Sequence, residues 1–319
     1  MRYIVTGATG FIGFALCKEL IKTENDVIAI VRPKSKNIKK LNNYINENPV
    51  CSSHINIIEL ELNEIGKLYK EYNIKADVFF HLAWNGSSGK DREDFDMQYS
   101  NVKFMIDAIK TAKACECQKI VGAGSQAEYG VCQHLNKEDE VVPHPFMMYG
   151  AAKLAAYEMG KIFAKQIDIG FVWPRIYSVY GVGENDGTLV SYVMSSLLNG
   201  DIPQLSPCEN MWNYIYIDDC ARVLRKLGES VHAMDGVYNV ASEDTRLLKD
   251  FVREIRDIID KKMSLNFGAH HSIPERTFWL EPDTTKIQNV AGSCCWTFEQ
   301  GIREKLNDYS VHHNEKSTR

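Results

Sequence analysis

The chain has 319 residues, 45% of them hydrophobic and 25% charged, with a net charge of -5 and a pI near 6.0. That is enough for one large domain or two modest ones around an ordinary core, and the acidic balance argues against a nucleic-acid-binding surface. Nine cysteines without a paired CxxC unit speak against a disulfide framework or a metal site, glycines from Gly7 onward interrupt any signal peptide, and no apolar run approaches a membrane span, so a cytoplasmic protein is expected.

Arg2–Thr6 is a short β-rich run suited to a buried parallel strand. Gly7, Gly10 and Gly13 follow in TGxxGxxG spacing, FALCKELIK beyond them has helical periodicity, and Val27–Val31 reads as a second buried strand. This is a βαβ unit of about thirty residues, the context in which such glycines bind a dinucleotide. Gly7 allows the tight turn, Gly10 lets a pyrophosphate approach the backbone, and Gly13 lets helix and strand pack closely. Thr9, Phe11 and Ile12 lie between and beside the glycines and are expected to line the same cradle, where free N–H groups and the helix dipole favour an anion. NAD-binding units place Asp or Glu after the second strand, to hold the ribose 2′-hydroxyl. Here Val31 is followed by Arg32, with Lys36 close behind. An arginine fork grips a 2′-phosphate that a carboxylate would repel, so the expected cofactor is NADP(H) rather than NAD. Residues 33–51 read as a loop and helix near the adenosine end.

Ile55–Leu62 and Asp77–Ala83 read as the next strands, with a helical pattern, EIGKLYKEYNI, between them. Glu61, followed by Leu62, stands where a carboxylate accepts from an adenine amino group, although a surface acid would look the same. Residues 92–115 form a long predicted helix with Val102, Met105, Ile106 and Ile109 in one buried stripe. Gln118–Ala123 is a fifth strand, so Ser125 emerges at the carboxyl edge of a parallel sheet, the edge where such sheets bind ligands. In the Ala-rich helical pattern that follows, Tyr149 and Lys153 are four apart and share a face. A nearby ammonium lowers the tyrosine pKa, making it a proton carrier near neutral pH. Ser125 would hydrogen-bond the same substrate oxygen.

These blocks together resemble the extended short-chain dehydrogenase/reductase superfamily, which acts mostly on nucleotide-linked sugars. The likeness includes TGATGFIG at 6–13, HLA at 81–83, Asn101, Ser125 with Tyr129-Gly130, and YGAAK at 149–153. It continues through PRIYSVYGVG (174–183), WNYIYIDDCA (212–221) and YNVAS (238–242). The resemblance implies an α/β chain with a Rossmann-like doubly wound parallel sheet and a smaller C-terminal α/β substrate domain. The expected division is a cofactor domain at 1–172 and a mainly sugar-nucleotide domain at 173–319, with about 212–242 returning to the first. It further implies that Leu82, Ala83, Trp84, Asn101, Tyr149, Lys153 and Ile176 join the cofactor site. Helices near 92–115 and 149–166 would pair across a homodimer as a four-helix bundle.

Reaction type depends on what surrounds Ser125. Sugar-nucleotide 4,6-dehydratases of this superfamily carry Asp-Glu after the catalytic Thr or Ser, where this chain has Gln126 and Ala127. GDP-fucose synthases carry Cys two residues after the serine, again Ala127 here. What remains is Ser125, Tyr149, Lys153 and a nicotinamide, sufficient for hydride and proton transfer at one carbon. Both a 4-ketoreductase and a 4-epimerase with bound NAD(P) fit. Arg32 favours the reductase: NADPH would reduce a nucleotide-diphospho-4-keto-6-deoxy sugar, with Tyr149 as proton donor, Ser125 polarising the carbonyl and Lys153 holding the nicotinamide ribose. A non-catalytic NADP-binding regulator is the reading outside enzymes. The substrate set expected alongside Ser125, Gln126 and Tyr149 is Trp84, Arg175, Ser178, Trp212 and Arg276. Three departures bear on it: Trp212 replaces a diphosphate-binding arginine, Ser178 an asparagine, and Val182 a proline. Trp212 either stacks on the base or packs, Trp84 lines the sugar pocket or packs, and Arg276 carries the diphosphate or is an exposed loop residue.

Overall fold

The computed structural model describes residues 1–132, 134–233, 235–270 and 279–317. Five strands alternate with helices through the first 122 residues: β1 Arg2–Thr6, α1 Phe11–Lys22, β2 Asp26–Val31, α2 Ile38–Glu47, β3 Ile55–Glu59, α3 Lys67–Lys70, β4 Val78–His81, α4 Phe95–Ala114 and β5 Lys119–Gly122. The two-residue β6, Gly124–Ser125, precedes α5, Met148–Gln166, and β7, Gly170–Ile176. The main sheet runs β11-β7-β5-β4-β1-β2-β3, with β11 at Asp235–Val240, β6 beside β7, and every pairing parallel. This is the Rossmann-like doubly wound sheet.

Side chains of a strand alternate between faces, and both faces of the central strands are covered, so β1, β2 and β4 are almost wholly buried. Tyr3 and Val5 of β1 pack with Leu16 and Leu20 of α1, and with Leu224 and Leu227 of α7 (Ile217–Glu229). Ile4, between them, packs on the other side with Met105 and Ile109 of α4 and Ala156 of α5. At Tyr177 the chain leaves the main sheet. β8 (Ser178–Tyr180), β10 (Met211–Tyr216) and β12 (Thr245–Leu247) make a second sheet in the order β12-β10-β8, and β9 (Gln204–Leu205) pairs with β13 (Asn266–Phe267). With α6 (Leu189–Leu198), α8 (Leu248–Ile259) and α10 (Phe298–Ser317), the second sheet surrounds a separate core holding Tyr180, Tyr214, Phe251 and Phe298. The short α9, Thr285–Ala291, packs back on the main sheet's core through Ile287.

Two expected helices are shorter than their patterns, and the strands expected at Ile55–Leu62 and Asp77–Ala83 end as Ile55–Glu59 and Val78–His81. EIGKLYKEYNI forms only the single turn of α3, and the helix expected from residue 92 begins at Phe95. Residues Gly89–Glu93 are a separate 3-10 turn, because Asp94 caps α4 by accepting from the Met97 N–H at 2.8 Å. Among the described residues, no helix is long and apolar enough to cross a membrane, and no group of three His, Cys, Asp or Glu is arranged to hold a metal.

Candidate active site

A cleft of about 780 Å3 opens over the carboxyl ends of the central strands and joins the glycine turn to Ser125, Tyr149 and Lys153. At its cofactor end, Gly7 has φ 71° and carries no Cβ; one there would come within 2.9 Å of the Ala83 nitrogen. A Cβ at Gly13 would run into the Gly7 carbonyl oxygen, so helix and strand could not approach as they do. Helix α1 has no side-chain N-cap, which leaves its first N–H groups for an anion. This bare, helix-started cradle fits the pyrophosphate of a nicotinamide dinucleotide. Thr9, Gly10, Phe11 and Ile12 complete its wall. Arg32, Ser35 and Asn37 line the cleft beyond the glycine turn, with Thr9 Oγ1 and Ser35 Oγ 3.2 Å apart, while Lys36 is exposed and off the wall. Glu61 and Leu62 line the same end.

Leu82, Ala83 and Trp84 form the facing wall. Their turn is held by Thr6, whose Oγ1 lies 3.0 Å from His81 Nδ1 and accepts from the Ala83 N–H at 3.3 Å. Burial, reinforced by the Lys153 charge, pushes the His81 pKa down to about 3, so its ring is neutral. Asn101 does not line the cleft. It is buried, accepts from the Asn85 N–H at 2.9 Å and donates to the Asn85 carbonyl at 2.8 Å, fixing the loop after Trp84.

Ser125 is positioned by a capping box. Its N–H donates to Glu128 Oε1 at 2.7 Å, its Oγ accepts from the Ala127 N–H at 3.2 Å, and its hydroxyl donates to Gln126 Oε1 at 2.8 Å. On α5, Lys153 Nζ donates to the Ala123 carbonyl at 2.6 Å and sits 3.5 Å from the centroid of the Trp84 ring. The Trp84 ring meets Tyr149 edge-on, with centroids 6.2 Å apart.

The Tyr149 pKa does not follow the sequence expectation. Burial raises it; a hydrogen bond with Ser125 and the Arg92 charge work against that, and Glu128 adds to it. Lys153 is not among the causes, and burial holds its own pKa down to about 7. Arg92, which the sequence reading took only as a helix start, lines the cleft with its guanidinium carbon 4.5 Å from the Tyr149 ring centroid. No motif marks it.

A sequence profile of the NAD dependent epimerase/dehydratase family matches residues 3–241. The chain belongs to that family. It is therefore an NAD(P)-dependent oxidoreductase or epimerase. It is 24% identical over 320 residues to the CDP-abequose synthase of Salmonella muenchen, covering 96% of this chain and 97% of the relative. It is 24% identical over 275 residues to the dTDP-4-dehydro-6-deoxyglucose reductase of Escherichia coli, covering 83% and 84%. Among solved structures, UDP-glucuronic acid 4-epimerase from Bacillus cereus, in complex with UDP-glucuronic acid and NAD, superposes with a TM-score of 0.82 at 22% identity, covering 98% of this chain and 99% of that one.

In this family member the remaining sequence candidates divide. Gln126 and Ile176 line the cleft, as do Tyr177 and Asn185, which the sequence reading did not single out. Arg175 does not. It is 2% exposed, its Nε bound to Glu128 Oε2 at 2.8 Å and its guanidinium over the Tyr129 ring. A permanently charged side chain inside a core needs such a counter-ion, and this pairing holds Arg175 off the cleft wall. Ser178 starts β8 opposite Tyr214, and Trp212 packs beside Tyr214 with centroids 6.3 Å apart; neither lies on the cleft wall. Arg276 lies outside the described residues.

Proposed function

We propose that the chain is an NADPH-dependent reductase of a nucleotide-diphospho-4-keto-6-deoxy sugar. The observation that carries this reading is the composition of the cleft around Ser125 and Tyr149. One hydroxyl, one phenol and one lysine converge there, and the two positions after Ser125 hold an amide and a methyl group rather than an acid and a base. Such a set moves one proton at one oxygen and cannot assist elimination at neighbouring carbons. The two synthase and reductase relatives are consistent with it.

When bound, the nicotinamide supplies the hydride that reduces C4. The chain's own residues hold and protonate O4. The Ser125 oxygen is fixed by the Ala127 N–H, and its hydroxyl turns its one proton from Gln126 Oε1 to the carbonyl oxygen; the Tyr149 phenol gives its proton to that oxygen as the C–O double bond becomes a single bond. Tyr149 is left as phenolate, to be reprotonated from solvent. Arg32, beside Ser35 and with no carboxylate after β2, supports a 2′-phosphate and hence NADPH. A homodimer through α4 and α5 belongs to the same reading, because those helices expose Phe95, Tyr99, Met159 and Ile162.

The second reading, a 4-epimerase retaining NAD, is favoured by the similarity to a 4-epimerase structure that contains NAD. Initial rates separate the two. The reductase reading expects NADPH oxidation with a nucleotide-diphospho-4-keto-6-deoxy sugar, lost by about 10²–10⁴-fold in Tyr149→Phe while NADPH affinity is retained. It also expects Arg32→Ala to weaken NADPH binding far more than NADH binding. Interconversion of UDP-hexoses by protein carrying its own NAD, with no ketone-dependent NADPH oxidation, would replace it with the epimerase.

A further inference from the structure

We propose that Lys305, on α10, is a positioning residue for the cofactor: paired with Glu184, it fixes the 181–188 loop so that Asn185 meets the bound dinucleotide. The inference rests on the glycine turn as the place of a nicotinamide dinucleotide. It goes beyond the reductase reading without depending on it, because a reductase and an epimerase both need that cofactor in this cleft.

The loop joins β8 to α6 along the cofactor end of the cleft. Val179 of β8 lines the cleft, and Phe11 and Ile12, beside the glycine turn, pack against the core that holds Tyr180. The loop after Tyr180 therefore begins next to the cradle. It then passes the segment that follows β2. A Cβ on Gly183 would come within 3.1 Å of Lys40 Nζ, in the helix that starts after Asn37 on the cleft wall. Asn185 lines the cleft, is exposed, and gives its side-chain amide to no other group among the described residues. That amide has a carbonyl and two N–H bonds with which to meet the ribose hydroxyls and phosphate oxygens of a dinucleotide.

Lys305 holds this loop at three places from one point. An ammonium has three protons to donate, and here they go to the Gly181 carbonyl at 3.0 Å, Glu184 Oε2 at 2.8 Å and Ser191 Oγ at 3.2 Å. The Lys305 and Glu184 side chains are only 10% and 4% exposed. Ser191 in turn gives its N–H to Thr188 Oγ1 at 3.3 Å, the cap that starts α6. The start, middle and end of the loop are thus tied together, and Glu184 is the immediate neighbour of Asn185. A binding loop held in place before its ligand arrives is spared the entropy of ordering on binding, so the pair acts on affinity.

Fastening α10 does not by itself account for the pair. Phe298 and Ile302 already bury that helix in the second core, and the Tyr180 hydroxyl donates to the Phe298 carbonyl at 3.2 Å. A buried ion pair seldom holds elements together better than apolar side chains of the same size. What it adds here is direction, since all three bonds of Lys305 end on the loop and on the helix the loop enters.

The test is a fluorescence titration of the full chain with NADPH and with NADH, in the absence of any sugar. Asn185→Ala should weaken the tighter of the two about threefold to tenfold, the span of one neutral hydrogen bond. Lys305→Met combined with Glu184→Gln removes the pair without leaving a lone buried charge, and should weaken the same dinucleotide by a similar factor. Added to Asn185→Ala, the pair removal should cost no further affinity. A role confined to holding the fold would give a loss independent of Asn185, so losses that multiply overturn the proposal. Full dinucleotide affinity in Asn185→Ala or in the pair-removed variant also overturns it, as does an Asn185→Ala that weakens UDP and spares both dinucleotides. If the pair-removed variant does not fold, Ser191→Ala, which takes away one of the three acceptors and keeps the pair, carries the same comparison with a loss of about twofold. Coupled losses in a protein that reduces no 4-keto sugar nucleotide keep this inference and remove the reductase reading. An active reductase with multiplying losses does the reverse.

Discussion

At Tyr149 and His81, burial and nearby charge decide which protonation state the cleft holds. His81 is buried, bonded through one nitrogen to Thr6, and kept neutral, with its pKa moved from 6.5 to about 3. The unfolded chain protonates that imidazole below 6.5 and the folded chain does not, so the native state loses stability as pH falls from 6.5 toward 3. One proton corresponds to a slope of at most about 1.4 kcal/mol per pH unit. Denaturant unfolding at several pH values in that window should show a slope for His81→Gln smaller by about this amount. Parallel slopes for variant and wild type would mean that His81 does not carry the effect. Lys153 acts in a different window. Its folded pKa of about 7 lies below the ordinary 10.5, so the unfolded chain holds more protons between those values and stability rises with pH there.

Among the elements, the β1–α1 turn places the cofactor cradle and the 126–128 turn places Ser125. The first depends on the absence of side chains at three positions. Adding one methyl group at Gly13 would push α1 away from the Gly7 carbonyl. Gly13→Ala should therefore cost about 1–3 kcal/mol in stability, the usual range for overpacking. If the proposed cradle grips the cofactor, the variant should also weaken NAD(P)H binding at least about tenfold, because the N–H groups at the helix start would be displaced. Chemical denaturation and fluorescence titration check the two effects, and full NADPH affinity in this variant would show that the helix start is not what grips the cofactor. The β1–α1 turn was legible in the sequence because its three glycines fall within one strand-to-helix turn and Gly10 and Gly13 meet Gly7 itself, although Gly7 also abuts Ala83 of the distant β4 end. The 126–128 turn was legible only in part. Ser125 stood out, but the buried Glu128 that holds its N–H is paired with Trp173 and Arg175, more than forty residues away. No local pattern announces that pairing, which is why Arg175 read as a ligand contact.

For the whole molecule, assembly is the open physical consequence of its surface. Phe95 and Tyr99 are 60% and 67% exposed on α4, with rings stacked 5.9 Å apart, and Met159 and Ile162 are 53% and 59% exposed on α5. An apolar face of that kind on two helices packed together is suited to a second copy. Light scattering should show a dimer that Met159→Asp with Ile162→Asp converts to monomer. A wild-type monomer at micromolar concentration would remove the four-helix-bundle reading.

The sequence by itself determined the α/β class and the glycine turn, and it singled out Ser125, Tyr149 and Lys153, which the structure brings to one cleft. Those features rest on strand and helix periodicity, on glycines needed within one turn, and on a tyrosine and lysine one helical turn apart. Only the tertiary structure decided which charges meet. It put Arg175 in the core with Glu128, sent Trp212 and Ser178 to the second sheet, left Lys36 off the wall, and brought Arg92 from an unremarked turn onto Tyr149. The reason is that electrostatic partnership falls off over a few ångströms in space and is blind to separation along the chain, so folding sets it where no motif does.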